Sequence, residues 1–237
     1  MRRPLSIMRA TDDWIEVLYK VVGEGLRLLA EKNPGDTINV LGPIGEPFRP
    51  SAKRPNALLI GGGVGIPPMV YLADVLRRDD TTPWSPLAIL GSEIPFPFTV
   101  AQSALPAAWL DDDLNSTMPL LESWGVPARL ASLSGFPGCY RGFVTELAER
   151  WLQGLDDAEL AATEIFACGP APMLKAVAAL AERYELPCQV SLEEFMACAV
   201  GGCAGCAVEV TTPEGPAMKR VCVDGPVFDA ATVVWGA

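Results

Sequence analysis

Four cysteines constrain this chain more than any other feature: Cys198, Cys203 and Cys206 stand as C-x4-C-x2-C, and Cys222 returns after a gap of fifteen residues. That is the plant-type spacing for a [2Fe–2S] cluster, with three ligands on one loop and a fourth coming back later. Converging thiolates demand a tightly curled loop. Gly201, Gly202 and Gly205 tolerate the positive φ of such a curl, and Ala197, Ala199, Ala204 and Ala207 let backbone N–H groups approach the sulfurs. Two other readings stand beside this one. C-x2-C is also a zinc half-site, although zinc sites usually pair two short units and here the second is a lone cysteine. Chance spacing is the other, in a chain with seven cysteines.

The length of 237 residues allows one large or two ordinary domains. No apolar run approaches a membrane span, and no apolar signal region follows the two arginines after Met1. The cysteines form no secreted disulfide framework, and a cluster needs reduced thiols, so a cytoplasmic protein is expected. A net charge of −11 argues against nucleic acid and anionic membranes as partners. The absence of histidine excludes Rieske ligation, His-ligated haem and any Ser-His-Asp or Cys-His pair.

Taken in order, residues 2–9 and 14–22 read as strands, 26–32 as a short helix after Gly23 and Gly25, and 37–41 as another strand. Alone, this β-rich segment specifies no ligand. Beyond a linker at 53–55 the regime changes to alternating strands (56–60, 86–91, 128–133, 164–167, 188–192) and helices (67–78, 118–124, 142–152, 173–184). Such alternation predicts a doubly wound parallel sheet with ligands at the carboxyl ends of its strands. Strand 56–60 runs into Gly61, Gly62, Gly63 and Gly65 and then a helix opening with Pro67 and Pro68. Strand, glycine turn and helix N-terminus make a phosphate site; a turn that serves close packing alone is the other reading, since the dinucleotide fingerprint is incomplete. Cys168, before Gly169 and Pro170, stands at another strand end, as a site residue or as a small buried one. Glu93, past the second strand of this sheet, is placed to accept ribose hydroxyls and repel a 2′-phosphate, unless it is an ordinary surface glutamate.

These motifs, in their order, resemble the electron-transfer subunits of NAD-dependent dihydroorotate dehydrogenases, within the ferredoxin reductase superfamily. The carrying stretches are residues 3–7, 41–45, 60–67, 134–145, 168–170, 191–194, the cysteine loop and 221–228. The resemblance implies three regions: a partial flavin-binding β-barrel (1–52), a doubly wound NAD-binding domain (53–190) and a [2Fe–2S] region (191–237). It implies that Arg3, in the Arg3, Pro4, Leu5, Ser6 motif, contacts the FAD pyrophosphate and that Ser6 lies near flavin N5. It implies further that Gly61–Gly65 and Cys168, Gly169 and Pro170 hold the nicotinamide dinucleotide, with Ser6 and Cys168 beside the chemistry. Electrons would pass from NADH through FAD and the cluster to an FMN-bearing catalytic subunit, in a hetero-oligomer. Leu26 departs from the family pattern, replacing a hydroxyl residue against the flavin phosphates and leaving the N–H groups around Gly23 and Gly25 to serve. The flavin motif begins at residue 3, so too few strands precede it to close a six-stranded barrel, and a start further upstream or an open barrel is expected.

Two other functions fit part of the pattern: a redox-sensing protein that keeps the cluster without productive flavin, and a zinc-stapled structural module. A one-electron carrier needs an exit, so Phe195, Met196, Val200 and Phe228 beside the cysteines are candidates for a docking surface. For Phe195 and Phe228, packing the loop onto the nucleotide domain is the competing role.

Overall fold

Strand β1 (Ile7–Ala10) pairs antiparallel with β2 (Ile15–Val17), and helix α1 (Gly23–Ala30) follows. The computed structural model describes residues 3–236, so Met1 and Arg2, where the first expected strand begins, lie outside the described residues. Both expected strands are shorter than the sequence suggests, because only the stretch that finds a partner forms a ladder. Helix α1 starts three residues earlier than expected, taking in both glycines. Its Arg27 bonds Glu24 and Glu31, one turn to either side, which supports so short a helix. Among the described residues no strand forms over 37–41, and Ile38 and Val40 are exposed. Among the described residues the partial barrel therefore amounts to a single antiparallel pair.

The main sheet contains β3 (Asn56–Gly62), β4 (Ser85–Gly91), β7 (Ala128–Ala131), β8 (Thr163–Cys168), β9 (Cys188–Ser191) and β12 (Val227–Asp229). Their order is β12-β9-β8-β3-β4-β7, all parallel except β12, which pairs antiparallel with β9 at the edge. The chain steps outward from β3 to β4 and β7, then returns to the other side of β3 for β8 and β9. The order reverses between β3 and β8, and the crevice outside their carboxyl ends is where such sheets bind ligands.

Alternation along β3 divides the core. Leu58 and Ile60 face α4 (Val144–Leu152) and α6 (Ala171–Arg183), packing on Leu147, Leu152, Leu174 and Val177. Ala57 and Leu59 face α2 (Ile66–Arg78), packing on Met69, Val70 and Ala73. Each fully buried Leu or Ile contributes about 1.5–3 kcal/mol of apolar burial. Met8 of β1 joins the α2-side core, together with Leu18 and Phe48, and so docks the first region onto the sheet. Short elements complete the chain: the β5 (Ala101–Gln102) and β6 (Ser116–Thr117) pair, α3 (Pro119–Ser123), α5 (Asp157–Ala161) and the hairpin β10 (Ala207–Thr212) with β11 (Gly215–Arg220). No helix among the described residues is long and apolar enough to cross a membrane.

The connection between the first region and the sheet is tied down. The Gln189 side-chain amide exchanges two hydrogen bonds with the Arg49 backbone, each 2.9 Å. The buried Glu164 carboxylate accepts from the Ser51 N–H at 3.0 Å and from Gln189 Nε2 at 2.8 Å. Further back, the Glu46 N–H donates to the Gly225 carbonyl at 2.5 Å, so this strap also touches the region that follows Cys222.

Candidate functional site

At the switch point β3 ends in Gly61 and Gly62, and the 3₁₀ turn Gly63–Gly65 leads directly into α2. A Cβ on Gly65 would lie 1.9 Å from the Cys168 carbonyl oxygen, and one on Gly62 would lie 2.5 Å from Met173 Sδ. Gly65 serves the close approach of the β3 and β8 ends, and Gly62 the approach of Met173 on α6. Gly63 differs: its φ is +55° and a Cβ there would meet nothing within 4 Å, so its backbone faces open space. Pro67 and Pro68 withhold two donors from the first turn of α2, so its attraction for a phosphate rests on the helix dipole and the glycine turn. Gly169 packs against Met173, and Pro170 precedes α6.

Cys168 closes β8 beside this turn. Burial pushes its thiol up to about 11, opposed by a hydrogen bond with the Ser191 side chain and assisted by the nearby Glu193 carboxylate. The thiol is therefore neutral at physiological pH. Across the sheet the register sets Gly61 beside Cys168, Cys168 beside Ser191, and Ser191 beside Val227. With strands about 4.8 Å apart, Val227 lies on the order of 10 Å from Cys168. Val227 is the fifth residue after Cys222, so the nucleotide end of the sheet and the returning cysteine share one edge.

The cysteine loop is built from inside out. Cys206 and Cys222 are buried with Val221 in a small core, walled by Met196, Val208, Val223 and Phe228. The Val221 N–H donates to the Cys206 carbonyl at 3.0 Å, which fixes the two ligand segments against each other. Cys203 is exposed and Cys198 half-buried. N–H groups of Val200 and Cys203, the Cys203 thiol and the Gly202 N–H draw the Cys198 thiol down to about 6. Burial and the Cys206 thiol raise Cys222, against a Gly201 N–H that lowers it. The Gly205 N–H reaches Cys203 Sγ at 3.4 Å.

Cys198 interacts with Cys203 and Cys206 with Cys222, and Cys198 also acts electrostatically on Cys222. Four cysteines in two neighbouring segments, with N–H donors around them, fit a two-iron cluster. The curl is made differently from the expectation. Gly201 has φ +77°, but the other left-handed residues are Ala199 (+59°) and Ala204 (+52°), while Gly202 and Gly205 stay outside that region. A left-handed alanine costs about 1–2 kcal/mol, which the surrounding loop contacts must offset.

In the first region the Arg3 side chain lies against the start of α1: a Cβ on Gly25 would sit 3.2 Å from Arg3 Nε. Val22 supplies no side-chain cap, so a guanidinium and uncapped helix N–H groups converge beside Gly23 and Gly25. That cradle suits a pyrophosphate. Pro4, Leu5 and Ser6 are exposed before β1. Glu93 follows β4, and its carboxylate accepts the Leu133 N–H at 3.2 Å, so it clasps the loop after β7. Of the docking candidates, Phe195 (94 % exposed) and Val200 (62 %) stand in solvent, whereas Met196 and Phe228 wall the cysteine core. Sequence reasoning passed over Arg220 and Asp224, whose one signal was a cation and an acid set symmetrically about Cys222.

A family model described as the iron–sulfur cluster binding domain of dihydroorotate dehydrogenase B matches residues 193–234. The chain is 36 % identical over 241 residues to the dihydroorotate dehydrogenase B (NAD(+)) electron transfer subunit of Bacillus caldolyticus, covering 99 % of this chain and 80 % of that one. The protein of the same description from Caldanaerobacter subterraneus subsp. tengcongensis is 30 % identical over 235 residues, covering 99 % and 81 %. Among solved structures, that of an NADH-dependent reduced ferredoxin–NADP oxidoreductase superposes with a TM-score of 0.75 at 26 % identity, covering 99 % of this chain and 74 % of that one. An Amycolatopsis cytochrome P450 reductase shares the fold, with a TM-score of 0.55, 20 % identity and 78 % and 54 % coverage.

Proposed function

Because the chain belongs to the family of dihydroorotate dehydrogenase B electron transfer subunits, we propose that it carries electrons from NADH through FAD and a [2Fe–2S] cluster to an FMN-containing catalytic partner, for pyrimidine synthesis. The observation that carries this reading is the register Gly61–Cys168–Ser191–Val227, which brings the nucleotide crevice and the returning cysteine segment to one edge of one sheet. The cofactors supply two-electron hydride acceptance at a flavin and one-electron carriage at the cluster; the chain supplies position and environment.

In this reading regions 1–52, 53–190 and 191–237 hold FAD, NADH and the cluster in turn. Arg3 and the N–H groups around Gly23 and Gly25 would hold the flavin pyrophosphate, with Pro4 and Leu5 shaping the approach and Ser6 near the reacting ring. Gly63 gives the dinucleotide an unobstructed backbone, and the tight Gly62 and Gly65 contacts keep the crevice floor flat. Cys168, neutral and held by Ser191, presents a small soft surface to the nicotinamide without adding charge, while Gly169 and Pro170 lead the chain away from it. Glu93 would disfavour a 2′-phosphate, making NADH the better donor; faster dye reduction with NADPH would contradict that assignment. Cys198, Cys203, Cys206 and Cys222 ligate the irons. Because ligation needs reduced thiols and all seven cysteines are free, we place the protein in the cytoplasm.

The test is the visible spectrum of the purified protein, before and after anaerobic NADH. Flavin and cluster bands that both bleach are expected, and a colourless protein would overturn the proposal. Cluster bands without flavin would instead favour a redox sensor.

A further inference from the structure

We propose that Arg220 is a positioning residue that sets the reduction potential of the cluster, by holding the Gly201–Gly202 peptide through a guanidinium anchored on Asp224. The inference rests on the cluster assignment above and adds a determinant outside the ligand set.

Arg220 ends β11 two residues before Cys222. Its Nε donates to Asp224 Oδ2 at 3.0 Å, and its own N–H donates to the same oxygen at 2.7 Å. The guanidinium is thereby fixed from below. Its Nη1 then reaches across to the Gly201 carbonyl, on the loop between Cys198 and Cys203, at 3.1 Å. The Arg220 carbonyl meanwhile accepts N–H groups from Val223 (3.1 Å), Asp224 (2.8 Å) and Gly225 (3.3 Å), closing the turn that carries Cys222. One side chain therefore clamps the loop of the first ligands to the segment of the last.

What Arg220 grips gives the clamp its electronic consequence. The Gly201 carbonyl and the Gly202 N–H belong to one peptide unit, set between Cys198 and Cys203. Gly201 holds φ +77°, and a Cβ there would press within 3.0 Å of Val223 Cγ2 and 3.2 Å of Arg220 Nη1, so the peptide has one seat. A guanidinium on a carbonyl polarises the peptide and strengthens the N–H at its far end. The direction of the donor next to Cys203 therefore depends on how Arg220 holds Gly201. Reduction adds an electron to a centre already surrounded by thiolates, so donors aimed at the sulfurs favour the reduced form and hydrogen bonding raises the potential. Asp224 offsets the charge of Arg220, so the effect travels through the oriented peptide more than through net charge.

The experiment is an EPR-monitored potentiometric titration of the full chain and of its R220Q and R220K variants, with iron and acid-labile sulfide measured in each. Expected is unchanged iron and sulfide in R220Q, with a cluster about tenfold harder to reduce, a midpoint lower by about 59 mV for one electron. R220K should shift in the same direction by less, because an ammonium offers charge without the rigid fork. A midpoint unchanged in R220Q with the cluster intact overturns the proposal. If R220Q fails to assemble a cluster, R220K decides: a lowered midpoint supports the proposal and an unshifted one overturns it. Loss of cluster from both variants would make Arg220 a purely structural clamp and equally overturn the tuning role. Absence of iron and sulfide from the unsubstituted chain would instead defeat the cluster assignment itself.

Discussion

At the scale of single residues, the cysteines proposed as ligands sit in an environment unlike that of Cys168. Cys203 is the exposed member of its pair and has the least protein around it to compensate for its loss. Cys203→Ser should remove most of the iron, sulfide and long-wavelength absorbance while the circular dichroism of the main sheet survives; full iron and sulfide would refute its place in the ligand set. Cys168 behaves in the opposite way. Its folded-state value, about 11, lies above the ordinary 9.0, so the neutral thiol is the favoured form in the native protein. The stability this contributes is complete below about pH 9 and is lost as the pH rises from there through about 11. Thermal melts across that window should show a fall that is smaller in Cys168→Ala, the remainder coming from the buried Cys188 thiol, which burial also raises, and alkylation of Cys168 should stay slow until the same window. A flat comparison of the two melts would remove burial as the cause.

At the scale of elements, the tightest joint is the one between the β3 and β8 ends. Gly65→Ala places a methyl group where the Cys168 carbonyl sits, an overpacking of about 1–3 kcal/mol. The variant should lose NADH-dependent dye reduction by at least tenfold through a raised KM, with the cluster spectrum intact; unchanged kinetics would show that the joint yields freely. This joint was legible in the sequence because a buried strand, glycines and a helix period follow one another in β3 and α2, and the same holds for β8 and α6. The cysteine spacing was legible for a similar reason, since ligand geometry leaves few arrangements. Residues 37–41 misled because their β-forming character is local, whereas a strand exists only through a hydrogen-bonded ladder. The hairpin of β10 and β11 carries little strand signal, since β10 buries one residue and β11 opens with Gly215 and Pro216, and β12 has three residues, too few for a periodic signal. Gly202 and Gly205 were assigned the left-handed turns that Ala199 and Ala204 make, because conformational freedom shows in a sequence and conformational demand does not.

At the scale of the whole molecule, Phe195 is the side chain most at odds with its surroundings, 94 % exposed next to the cysteine loop. Aromatic anchors of this kind contribute about 2 kcal/mol or more when a partner covers them. Phe195→Asp should leave NADH-driven dye reduction as it was and slow electron delivery to the catalytic partner by tenfold or more. Equal delivery by both proteins would locate the contact elsewhere. The edge position of β12 bears on how electrons cross the molecule. Phe228 pairs with Val190 and Val227 with Ser191, while the Leu192 N–H donates to the Pro226 carbonyl and the Ala230 N–H to the Cys188 carbonyl, each at 2.9 Å. A cluster region stitched into the same ladder as the nucleotide strands cannot swing on a tether to collect its charge. Its traffic is therefore fixed-path tunnelling and not diffusion of a mobile arm, and the internal step should run at one speed in buffer and in thick glycerol.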